Sequence, residues 1–123
     1  MKILIIEHND TIAQKYKDAL TQIGFAVIHA KSAVAGLKIL NEDIFSLILL
    51  NIMLPDMHGL NLIKNLHKNN PGFNTPLVIL TENAEDNLIQ ESYNLNVRGY
   101  LIHAIHTPEQ VADCVKAALY INK

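Results

Sequence analysis

Apolar residues gather in five short runs, at residues 3–6, 25–30, 45–50, 77–80 and 100–102. Three of these are near-continuous rather than alternating, the pattern of strands covered on both faces, as in a parallel sheet. Helical spacing fills the intervals. Ile12, Tyr16, Leu20 and Ile23 mark a first helix, with Asn9 placed to cap it and Gly24 placed for a left-handed C-terminal residue. Ser32 caps a second helix carrying Val34, Leu37 and Leu40. A third opens near Gly59 with Leu62, Ile63 and Leu66, and a weakly patterned, asparagine-rich fourth covers about residues 84–95. The fifth has the fullest start signal. Thr107-Pro108-Glu109-Gln110 combines an N-cap, a proline at the first helical position and a capping-box glutamine. Val111, Cys114, Val115, Ala118 and Leu119 then follow on one face. The order βαβαβαβαβα, with right-handed crossovers, predicts an α/β fold: a doubly wound, five-stranded parallel sheet in three αβα layers.

Length adds a bound. At roughly 100–200 residues per domain, 123 residues make one domain spanning 1–123. Half the residues are apolar and 18% are charged, a globular balance with enough apolar surface for a core. The net charge is −2 and Arg98 is the one arginine, so no basic stripe suits nucleic acid. No stretch approaches the ~18 apolar residues of a membrane span, and the opening run is too short for a secretory core. Cys114 is the single cysteine, which fits a reducing, cytoplasmic setting.

In a doubly wound sheet, ligand chemistry gathers beyond the carboxyl ends of the strands. The residues there are Glu7 and His8, Asn51, Thr81, and His103. These positions, together with the stretch Leu47-Ile48-Leu49-Leu50-Asn51-Ile52-Met53-Leu54-Pro55-Asp56-Met57-His58-Gly59-Leu60, resemble the receiver domain of bacterial two-component response regulators. The first, fourth and fifth runs and Thr107-Pro108-Glu109 match in the same order. The resemblance implies a flavodoxin-like (βα)5 fold and a cytoplasmic signalling module rather than an enzyme. In that family a kinase phosphohistidine passes its phosphoryl group to an aspartate ending the third strand. Two acidic residues after the first strand hold Mg²⁺ with it. A lysine after the fifth strand pairs with the phosphoryl group, a hydroxyl after the fourth bonds it, and an aromatic on the fifth reports the state.

The sequence departs from the pattern at the chemistry. Asn51 stands at the acceptor position, His8 at the second acidic position and His103 at the lysine, with Ala104 after it where the family has proline. A carboxamide is a poor nucleophile, and neutral imidazole suits Mg²⁺ badly because that ion prefers oxygen. The family pocket holds three carboxylates and one ammonium, a net −2. Here Glu7 is the one certain charge, a net −1 with both histidines neutral. Mg²⁺ binding is therefore expected to be weak or absent. Loss of the second acid, the lysine and the proline alongside the acceptor points to natural drift: a pseudo-receiver that no longer transfers phosphate at the usual site.

Each site residue also has a plainer role. Glu7 is expected to be solvated or capping, Thr81 to bond the following turn, and Tyr100 to be either a state-reporting aromatic or a static half-buried one. His58 and His106 are expected to be solvent-exposed loop residues, Cys114 a small core residue, and Asp56 an ordinary loop aspartate. Glu7, His8 and His103 are weak candidates for a Zn²⁺ or Ni²⁺ site.

The leading reading is an atypical receiver acting through protein contacts. In the family, partners or a second receiver dock on the face formed by the fourth helical segment, fifth strand and fifth helical segment. Here that face includes Glu91, Arg98, Tyr100, Ile105, Glu109, Ala112 and Lys116. A homodimer is possible, and neither nucleic acid nor membrane is an expected partner of this domain. Two alternatives stay open: a small-molecule or transition-metal-binding flavodoxin-like domain, and a phospho-receiver with a non-standard acceptor such as Asp56. Glu7-His8-Asn9-Asp10-Thr11 lacks the glycine that a phosphate-cradling loop needs.

Overall fold

A computed structural model describes residues 1–82, 95, 97–102 and 106–120. Five parallel strands form one sheet: β1 (Lys2–Ile6), β2 (Ala26–Ala30), β3 (Leu47–Asn51), β4 (Leu77–Thr81) and β5 (Val97–Ile102), in spatial order β2-β1-β3-β4-β5. The described helices are α1 (Asp10–Gln22), α2 (Ala33–Glu42), α3 (Gly59–Asn69) and α4 (Pro108–Leu119). The expected helix at residues 84–95 lies outside the described residues, apart from the turn at Leu95.

Side chains alternate across a strand, so each apolar run serves both faces of the sheet. Ile3, Ile5, Leu47, Leu49, Val78 and Leu80 pack with α1 and α4, while Leu4, Ile6, Ile48, Leu50, Leu77 and Ile79 pack with α2 and α3. These twelve side chains are essentially inaccessible to water. Each contributes about 1.5–3 kcal/mol relative to an exposed position, which is why continuous rather than alternating runs mark the central strands.

The helix signals act as their chemistry dictates. Asn9 Oδ1 accepts from Ile12 N at 2.9 Å, Ser32 Oγ from Ala35 N at 3.1 Å and Thr107 Oγ1 from Gln110 N at 3.1 Å, with the reciprocal Gln110 bond closing the capping box. Gly24 takes φ +99°, the left-handed conformation that only glycine adopts cheaply.

Three local expectations fail for identifiable reasons. Val34 is 64% exposed, because α2 lies against the sheet through the small residues Ala33 and Gly36. A Cβ on Gly36 would come within 2.6 Å of Ile6 Cδ1, so this close seating turns Val34 outward. β5 begins at Val97, before the apolar run, since Val97 pairs with Leu77 and Gly99 with Val78, the register shifting past Arg98 between them. Third, Ala112 does not belong to an exposed face. It is 2% exposed, packed with Ala13, Tyr16 and Leu20 where α4 meets α1.

Candidate polar site at the carboxyl ends of β1 and β3

The strand order reverses between β1 and β3, and the residues ending those two strands flank the resulting crevice. Glu7, just past β1, is 3% exposed, and Asn51, the last residue of β3, is 7% exposed. The fold thus drives one carboxylate and one carboxamide together where the chain had two separate candidates. Asn51 Nδ2 donates to Glu7 Oε1 at 2.6 Å. The other carboxylate oxygen accepts from Asn9 N at 2.9 Å, and Asn51 Oδ1 accepts from Met53 N at 2.9 Å. The amide orientation is dictated by its partners, because turning it over would set oxygen against carboxylate and NH₂ against a backbone N–H. His29 Nε2 lies 2.7 Å from the Glu7 carbonyl oxygen and anchors the strand end from β2. Glu7 is therefore neither solvated nor a simple cap.

Tyr16 on α1 also belongs to this neighbourhood. Burial, and then the negative charge of Glu7, push its phenol up from the ordinary value. Nothing in the α1 pattern separated Tyr16 from the other apolar positions; the fold alone brings it near Glu7.

Thr81 ends β4, is 3% exposed, and pairs in register with Ile102. His8 is exposed. His103, Ala104 and Ile105 lie outside the described residues, and so does Glu91, so the weak candidate site of Glu7, His8 and His103 is not described as a whole. Among the described residues, no three His, Cys, Asp or Glu side chains form a group able to hold a metal.

The loop beneath Asn51 is pinned from two sides. Asp56 Oδ1 accepts from Ala33 N and Oδ2 from Val34 N, both at 3.0 Å, and these are the first amides of α2. Those bonds hold the Asp56 carboxyl below the usual carboxylate range. A carboxylate at a helix N-terminus satisfies donors that have no intrahelical partner. His58, expected to be an exposed loop residue, is half-buried and caps α3, its Nδ1 accepting from Leu60 N at 3.2 Å. Gly59 follows at a point of close approach, where a Cβ would fall 2.7 Å from Ile52 Cα. His106 also departs from expectation. It is half-buried, with Nδ1 2.8 Å from Ile102 O at the end of β5.

On the flank formed by β5 and α4, Arg98 Nη1 donates to Ala118 O at 3.0 Å, Tyr100 is half-buried, and Glu109 and Lys116 are exposed. Cys114 is half-buried, its thiol pushed up by burial, and its Sγ lies 2.9 Å from where a Cβ on Gly99 would stand. A side chain in place of Gly99 would have to displace Cys114 Sγ.

The resemblance implies Mg²⁺, and the residues at this site do not fit it. A hard divalent cation needs several oxygen donors free to face it. Here Glu7 is the one carboxylate at these strand ends, the Asn51 amide turns its NH₂ toward that carboxylate and its Oδ1 to Met53 N, and His8 offers nitrogen.

The family model for the response regulator receiver domain matches residues 3–115. Among curated relatives, the probable transcriptional regulatory protein SilR of Salmonella typhimurium is 35% identical over 81 residues, covering 66% of this chain and 35% of its own. The transcriptional regulatory protein CrdR of Helicobacter pylori is 27% identical over 100 residues, covering 81% and 46%. The chain thus spans less than half the length of these two relatives. Among solved structures, a CheY-like response regulator receiver domain protein from Methanospirillum hungatei JF-1 superposes with a TM-score of 0.85 at 29% identity, covering 96% of this chain and 92% of its own. With the match running from β1 into α4 and taking in both strand ends of the polar site, the chain belongs to the response regulator receiver domain family of two-component signal transduction.

Proposed function

We propose that this receiver domain signals without phosphoryl transfer at Asn51 and acts through protein contacts. The observation that carries the reading is the 2.6 Å hydrogen bond from Asn51 Nδ2 to Glu7 Oε1. In a working receiver, carboxylates at these two positions repel and a divalent cation holds them together. Here the carboxamide donates directly to the carboxylate, so the pair is held with neither cation nor phosphate. The amide is also a poor nucleophile, and its NH₂ already faces the group beside it. This is a pseudo-receiver without enzymatic activity, with no Mg²⁺ requirement and a single folded arrangement of the pocket. Partners dock on the β5–α4 flank, through Arg98, Tyr100, Glu109 and Lys116. No nucleic-acid contact is assigned to this domain, whose net charge is −2 with a single arginine.

Asp56 supports no substitute acceptor role. Both of its oxygens are engaged by α2 amides, and phosphorylation of either oxygen would turn that amide's charged acceptor into a weakly accepting ester oxygen.

Intact-mass measurement after incubation with acetyl phosphate and Mg²⁺ tests the reading. The expected outcome is no phosphoryl adduct on the unaltered chain, and at most slow labelling of Asn51→Asp, since His8 and His103 remain. An adduct mapped to any residue of the unaltered chain overturns it. Rapid labelling of Asn51→Asp alone would show that the other two departures matter little.

A further inference from the structure

At the opposite end of the sheet, before the first residues of β3 and β4, a cavity of about 680 Å³ opens between the C-terminal halves of α2 and α3. Leu37, Leu40 and Phe73 supply its apolar wall, and the exposed residues Asn41, Asn69 and Asn70 stand at its rim. Ile44 lies at the same rim and is 86% exposed, the most exposed large apolar side chain among the described residues. Asp43 is the one ionisable side chain in the lining, and Lys2 holds it in an ion pair.

From this we infer that the surface between α2 and α3 is a docking site for a second copy of the same chain, in which each copy inserts Ile44 into the other's cavity. Knob and hole lie in one patch, which is the requirement for an isologous two-fold contact: one surface must complement itself. The charge pattern is compatible with the same occupant and disfavours a charged one. A rim chosen for a charged partner would carry the opposite charge, and a like-charged rim would repel its own copy. This lining is neutral once Asp43 is paired. Carboxamides carry both donors and an acceptor, so identical asparagine rims can bond across a two-fold axis. The patch is remote from Asn51 and from the β5–α4 flank, so association neither needs phosphate nor depends on how the polar site is read.

Sedimentation velocity of the whole chain, up to about 1 mM, is the test. A reversible dimer is expected, with little dependence on salt because no exposed ion pairs hold it. Ile44→Asp removes an apolar side chain twice per dimer and is expected to raise the dimer dissociation constant at least ~10-fold. Asn69→Arg, which opposes like charges near the axis, should act in the same direction. Lys116→Glu on the β5–α4 flank should leave the dimer dissociation constant as it is. A monomer at every concentration overturns the inference. So does a dimer that survives Ile44→Asp, and so does one that Lys116→Glu dissociates.

Discussion

The two ends of the sheet put polar groups to opposite uses. At the carboxyl ends of β1 and β3, a buried carboxylate and a buried carboxamide bond each other and the adjacent backbone amides. At the amino ends of β3 and β4, carboxamides stand exposed around an apolar cavity with Ile44 beside it. The first arrangement resists entry, because a ligand must break bonds already made inside a low-dielectric site. The second invites contact, because its apolar surface is still wetted. A receiver that transfers phosphate by the family's chemistry needs the first end open and acidic. The contrast can be broken by substitutions that affect the two ends differently.

Asn51→Leu has the largest expected effect. It leaves Glu7 buried without its 2.6 Å donor, and an unsatisfied buried charged group costs about 3 kcal/mol. Urea denaturation should show that loss as a lower midpoint at unchanged slope. Adding Glu7→Leu to Asn51→Leu should recover part of it, since removing both partners costs less than orphaning one. A double mutant whose loss is the sum of the two single losses would show that the pair is not the coupled unit described. Asn51→Asp should behave differently. Two carboxylates then face each other, the folded-state carboxyl pKa rises, and stability falls as pH climbs through that raised value.

The sequence carried the frame of this comparison but not its contents. Continuous apolar runs, three N-caps and a left-handed glycine were enough to place every described strand and helix within a few residues. Each is a local rule whose partner lies within four positions. The site was legible as a set of strand-end positions, because topology alone sends those ends to one crevice. The Glu7–Asn51 bond was not, since 44 residues separate its partners and Glu7 by itself reads as solvated or capping. The caps at Asp56 and His58 were hidden for related reasons. Asp56 reaches back 23 residues to α2, and histidine is an uncommon N-cap. Ala112 misled because its position on α4 was read from the family's docking face, whereas α4 turns that alanine toward α1.

Gly59→Ala should follow in size. The new Cβ would lie 2.7 Å from Ile52 Cα, and backbone cannot step aside as a side-chain tip can, so a loss of about 1–3 kcal/mol is expected. Gly36→Ala, on the helix that walls the cavity, is the matched control. Its Cβ meets the movable end of Ile6, and the strain is offset by up to about 1 kcal/mol of helix propensity. Thermal unfolding of both variants should therefore show Gly59→Ala clearly below Gly36→Ala. Equal losses would mean that the loop under Asn51 is no more constrained than α2.

Asp56→Ala probes the strap between that loop and α2. Its carboxyl is held below the ordinary range by the Val34 and Ala33 amides. A depressed folded-state value contributes stability that is present above the unfolded value of about 3.9 and is lost as pH falls through the lower folded one. The variant should thus be less stable than the parent at neutral pH, and the two should converge in acid below pH ~4. Urea midpoints collected from neutral to acidic pH give the comparison. A difference that persists undiminished in acid would assign the loss to packing rather than to charge.

Ile44→Asp should have the smallest effect on folding and so tests the other end of the sheet most cleanly. The side chain is already 86% exposed, so replacing it removes little apolar burial from the monomer. Surface substitutions of this kind usually fall within about 0.5 kcal/mol of the parent. Urea denaturation at a protein concentration where the chain is monomeric should give superimposable curves, and the intact-mass result with acetyl phosphate should not change. Ile44→Asp should thus weaken association without a stability loss, and Asn51→Leu should give a large stability loss with association unaltered wherever the chain remains folded. If Ile44→Asp instead destabilised the monomer as much as Gly59→Ala does, the side chain would be holding its own loop. The amino-end patch would then be part of the core, and the division between a closed polar end and an open apolar end would fail.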